Sequence, residues 1–242
     1  MFKKIVIITV TVAAAAYLLL AVFYLNASPP SPKCQGLVIE ISDNGYEVLS
    51  EKNIEQQLQR KGFRFKDVPM EKISSIEIEK ALRELSVIDE CECYKTHRDK
   101  VAIRISCKEP ILHVFDQSGE YYLDNNGSKI KSIESAIYLP IASGEIKNKE
   151  CIDGLVKMAL FLQDNRFWRE QTEQIHINQR QEFILVPRIG NHLIELGKAE
   201  NIEDKLAKLE EFYEKGLNKI GWNKYNRLNI EFDKQVICTK KE

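Results

Sequence analysis

From Leu228 onward the chain alternates: Leu228, Ile230, Phe232, Val236 and Cys238 fall on one face and Asn229, Glu231, Asp233, Gln235 and Thr239 on the other. Lys234 is the interruption. A period of two predicts a half-buried strand. It contains no Pro or Gly, and almost nothing follows that could cover its outer edge, which natural proteins normally blunt. A pairing partner is therefore expected, unless the strand lies inside its sheet.

Earlier segments read from their caps and stripes. Residues 34–41 form an apolar strand. Ser50 stands as N-cap of a helix, with Leu49 and Ile54 at staple positions and Gly62 as its stop. Ser74 and Glu77 have capping-box spacing, Ile73 and Ile78 repeat the staple, and Ile78, Leu82 and Leu85 continue a helical stripe. Residues 87–94 and 100–107 alternate as two strands, giving the order strand, helix, helix, strand, strand. In the second half a helix is expected over 151–162 and strands over 174–177, 182–186 and 192–196. Asn201 is read as the cap of a helix with Ile202, Leu206, Leu209, Phe212 and Leu217 on one stripe, ended by Gly221.

Residues 5–25 are an uncharged apolar run of 21 residues, long enough at about 1.5 Å per residue to cross a hydrocarbon core of about 30 Å. They predict an uncleaved transmembrane helix: a signal peptide would have an apolar region of about 7–15 residues and a small-residue cleavage site, which Leu25 spoils. Lys3 and Lys4 then hold residues 1–4 in the cytoplasm and send the body outward. The Pro- and Ser-rich residues 26–33 read as a stiff linker.

Composition removes several functions. Basic residues number 35 against 36 acidic ones, and without Lys3 and Lys4 the excess of acid grows, so nothing predicts a nucleic-acid surface. His97, His113, His176 and His192 are scattered, and no metal-ligand, nucleophile or phosphate-loop spacing occurs. Glu90 and Glu92 share one strand face, where a solvated pair needs no catalytic explanation. No enzyme activity, cofactor, metal or small-molecule substrate is expected. The six cysteines permit disulfides in an oxidising compartment, but Cys91, Cys93 and Cys107 alternate with the apolar faces of their strands and read as small buried residues.

The strand–helix–helix–strand–strand module outside one N-terminal anchor resembles a POTRA domain. The continuation IRISCKEPILHVFDQSGEYYLDNNG resembles the passage from POTRA to β-domain in the bacterial division family FtsQ/DivIB. Lys108, Glu109, Pro110 and Ile111 match its Pro motif, although Cys107 and Lys108 replace the usual acid and Arg. Tyr121, Tyr122, Asp124 and Gly127 match its hairpin. GNHLIELG, KLAKLEEF, GWNKY and the closing strand are similar to its C-terminal half.

The resemblance implies an α+β fold with a transmembrane helix at 5–25, a POTRA-like domain at 34–107 and, at 108–242, a mixed α/β domain with a mainly antiparallel sheet. It implies a scaffold of the division machinery in the inner membrane, with its body in the periplasm and its place at the septum. There it would bind the FtsB/FtsL complex by strand addition, and other division proteins through the POTRA-like domain. By position, the receiving segment is Phe232, Asp233, Lys234, Gln235, Val236, Ile237, Cys238 and Thr239. The alternative is a POTRA-type adaptor of another envelope assembly, serving secretion or outer-membrane biogenesis.

Overall fold

The computed structural model describes residues 2–26, 31–42 and 48–241. Helix α1 spans Phe2–Asn26. Among the described residues, no helix is long and apolar enough to cross a membrane. This corrects the transmembrane helix expected at 5–25, and the fold class that included it. Within the expected linker, residues 27–30 lie outside the described residues.

The next module holds β1 (Gly36–Ile41), α2 (Glu51–Arg60), α3 (Ser75–Arg83), β2 (Ile88–Lys95) and β3 (Lys100–Cys107). Its sheet has the order β1-β3-β2, with β1 parallel and β2 antiparallel to β3. A parallel neighbour needs a long crossover, which α2 and α3 occupy. Their starts are fixed by caps: Asn53 N–H donates to Ser50 Oγ at 3.3 Å and Glu77 N–H to Ser74 Oγ at 3.3 Å. Ile54, Leu58, Ile78 and Leu82 then bury in one core with Val101, Ile103 and Ile105.

The second module is built on nine strands: β4 (Pro110–Asp116), β5 (Gly119–Asp124), β6 (Lys129–Ile130), β7 (Ile141–Gly144), β8 (Thr172–Ile177), β9 (Phe183–Pro187), β10 (Leu193–Gly197), β11 (Tyr225–Asn229) and β12 (Ile237–Lys240). Their order is β12-β11-β10-β9-β8-β7-β4-β5-β6. The pairs β4–β7, β7–β8 and β10–β11 are parallel and the others antiparallel. Helices α4 (Lys149–Asp164), α5 (Arg166–Gln171) and α6 (Ile202–Phe212) lie between strands in the chain. Their Leu155, Met158, Trp168, Leu206 and Leu209 join Leu112, Ile175, Leu185 and Leu228 in a second core.

One short strand ties the modules together. Ile130 of β6 is fully buried, yet it packs in the core of the three-stranded module. Lys131 N–H donates to Ser86 Oγ at 2.9 Å and Glu134 N–H to Val48 O at 3.1 Å. Burying an isoleucine contributes about 1.5–3 kcal/mol, so this strap is a substantial part of the contact.

Two local expectations change. Asn201 takes a left-handed φ of 50° and makes no side-chain cap; α6 starts from its carbonyl, which accepts Lys205 N–H at 3.1 Å. The closing alternation is two strands, β11 and β12, joined by a turn in which Lys234 has φ 60°. Cys34, Cys91, Cys93, Cys107 and Cys151 are buried and Cys238 is half-buried. Burial raises Cys91, Cys107 and Cys151 to about 11.

Candidate partner-docking edge

Strand β12 ends the sheet, so the site is built from what holds it there. Asn229↔Ile237, Leu228↔Cys238 and Arg227↔Thr239 pair antiparallel across β11 and β12. Ile230 N–H donates to Glu195 O at 2.9 Å, so Leu228 faces β10 while Arg227 and Asn229 face β12, up to the register shift between Tyr225 and Arg227. Lys241 N–H donates to Lys224 O at 3.1 Å. By alternation Ile237 and Thr239 also turn their amides to β11, while those of Cys238 and Lys240 face away from the sheet.

The turn before β12 is held from α6. Lys208 Nζ donates to Ile230 O at 3.1 Å and also to Phe232 O. Lys205, buried on the apolar stripe of the same helix, donates to Leu196 O and Lys198 O, each at 3.0 Å. Burial lowers both amines; Glu231 near Lys205, and Asp233 near both, oppose that shift. Sequence reasoning missed both lysines. The position of Lys205, three after Ile202 and four before Leu209, was a usable signal, because it lies on the stripe meant for the core.

Of the eight residues expected to receive a partner, Ile237, Cys238 and Thr239 lie in β12. Phe232, Asp233, Lys234, Gln235 and Val236 precede it, in and beside the turn. Val236 and Cys238 pack against the core, whereas Phe232 is 47% and Ile237 45% exposed.

A family model described as FtsQ/DivIB, C-terminal related, matches residues 109–239, and one described as a POTRA-like domain matches residues 32–106. The chain belongs to the FtsQ/DivIB family. It is a division-related protein with a POTRA-like domain, from a family of non-enzymatic scaffolds whose partners are division proteins. The family suggests a division-site membrane protein; among the described residues, no helix is long and apolar enough to cross a membrane. No curated protein matches the chain.

The remaining candidate chemistry in this FtsQ/DivIB-family chain is dispersed. Among the described residues no group of three His, Cys, Asp or Glu could hold a metal ion. His113 Nε2 lies 2.8 Å from Glu120 and His176 Nδ1 lies 3.1 Å from Ser143 Oγ. His192 is buried against Tyr213, with Nε2 2.9 Å from the phenol oxygen and Nδ1 without a partner. Burial lowers its pKa.

Proposed function

We propose that the protein is a scaffold of the bacterial division machinery, acting at the septum on the extracytoplasmic side. Residues 34–107 serve as its POTRA-like domain and residues 108–242 as its β-domain. In this reading β12 takes a strand from an FtsB/FtsL-type pair, linking division proteins to septal wall synthesis. The observation that carries it is the position of β12 at the end of the sheet, where its outward amides and carbonyls suit strand addition. The family match over residues 109–239 favours this role over an adaptor for secretion or outer-membrane biogenesis, which would share only the POTRA-like module.

The cellular test uses a fluorescent fusion and depletion. The fusion should gather at mid-cell, and depletion should block septation while mass increases, because a scaffold is needed for assembly and not for metabolism. Uniform fluorescence in dividing cells, with normal septa after depletion, would remove the proposal.

A further inference from the structure

The docking edge carries a local charge opposite in sign to the chain's slight net charge of −1. Lys224, Lys234, Lys240 and Lys241 are all exposed, and among the described residues none has a carboxylate partner. Lys234 stands in the turn that leads into β12. Lys240 closes the strand, opposite Tyr225, and Lys241 is bonded through its backbone to Lys224. Cations therefore stand at both ends of the open strand.

Nearby acids are fewer. Glu231 lies against Gly197, where an added Cβ would come 2.8 Å from its carboxyl carbon, and with Asp233 it favours the charged form of Lys205. Glu195 is paired with Arg227. Glu242 lies outside the described residues. Between the two basic ends, Ile237 presents an exposed apolar side chain.

We infer that the strand received on β12 is acidic at both ends, with carboxylates beside Lys234 and beside Lys240, Lys241 and Lys224, and an apolar residue at its centre to cover Ile237. This rests on the reading of β12 as the docking edge and adds the chemistry of its partner. A strand of four residues spans about 13 Å at about 3.3 Å per residue, more than the screening length of about 8 Å at physiological salt. The two basic ends therefore act as separate contacts, and both must be met for the partner to sit in register. Exposed rim charges of this kind act mainly on association rate and salt dependence.

The test measures association of the full-length chain with the FtsB/FtsL-type pair at about 50 and about 300 mM salt, between which the screening length falls from about 14 to about 6 Å. The parent should associate about tenfold or more faster at low salt. The double variant Lys234→Glu/Lys240→Glu should lose most of that advantage while keeping its thermal melt, and replacing the partner strand's acids by Lys should restore it. Salt-independent association of the parent, or a double variant that associates as the parent does, would overturn the acidic-strand inference and leave the docking edge standing. Failure of the parent to bind at any salt would overturn both. Phosphatidylglycerol vesicles form the second arm: binding that needs Lys234 and Lys240, with partner association unchanged by the substitutions, would assign the charges to a lipid surface and overturn the inference.

Discussion

Strands β2 and β12 each end a sheet, and the protein treats them differently. On β2 of the POTRA-like module, Cys93 N–H donates to Glu79 Oε1 at 2.8 Å and Cys91 O accepts from Arg83 Nη2 at 3.1 Å. Glu79 and Arg83 are themselves paired at 2.9 Å across one turn of α3. The helix lends its side chains as a substitute neighbour strand. On β12, no described side chain performs this service: its inward groups bond β11, and its outward amides at Cys238 and Lys240 have no partner among the described residues. At the far end of the same sheet, β6 is two residues long and tucked against the other module. Blunting an edge with paired side chains prevents strand addition. An edge left bare, where β2 is capped and β6 is tucked away, is the place where strand addition fits.

The comparison can be broken from the β2 side. Glu79→Ala removes the carboxylate acceptor of the Cys93 amide and should destabilise the protein by about 1.5–3 kcal/mol, the range for a hydrogen bond to a charged group. It should also expose β2 to pairing. Chemical denaturation reads the first effect and sedimentation the second; a variant as stable and as monodisperse as the parent would show that the cap is incidental.

On the β12 side, Lys208→Met keeps the aliphatic stem and removes the bonds to Ile230 and Phe232. The fold should lose about 0.5–1.5 kcal/mol, and partner affinity should fall severalfold because the turn no longer holds β12 in one position. Isothermal titration and a thermal melt separate the two effects. Unchanged affinity would mean that the turn is held by the strand pairing alone.

A smaller effect comes from His192. Burial lowers its pKa below the ordinary value near 6.5, so the unfolded chain takes up a proton that the folded chain refuses. The associated stability is intact above about pH 6.5 and is lost as pH falls toward the folded pKa. Denaturation midpoints from pH 8 to 5 should therefore drop more for the parent than for His192→Asn. Equal pH dependence would place the acid sensitivity outside this cluster.

The capped helices α2 and α3 were legible because a Ser three residues before a Glu or Asn acts through local geometry alone. Strands β2 and β3 were legible because one face is buried and the other wet. The split of the closing strand was not. Leu228 and Cys238 lie directly opposite one another, so both point to the same face, and a hairpin preserves the alternation that a continuous strand would show. Only the left-handed backbone at Lys234 divides them, and lysine gives no signal for that conformation. Strand β7 escaped notice because it is four residues long, IASG, between two parallel neighbours. The Lys208 clamp depends on tertiary packing that no local pattern encodes. For the candidate site, the sequence gives the segment and its charge, while the turn, the pairing register and the outward amides come from the fold.

The most direct measurement is a pair of proline substitutions read by binding to the FtsB/FtsL-type pair, with circular dichroism and thermal melts as controls. Proline lacks an amide hydrogen and is tolerated in a strand chiefly where that nitrogen faces an open edge. Thr239→Pro removes a donor to β11 and should weaken the fold. Cys238→Pro removes an outward donor, should keep the fold, and should still weaken binding by about tenfold or more, because a lost hydrogen bond of about 0.5–1.5 kcal/mol is joined by obstruction of the incoming strand. A folded Cys238→Pro variant that binds as tightly as the parent would contradict β12 as the docking edge.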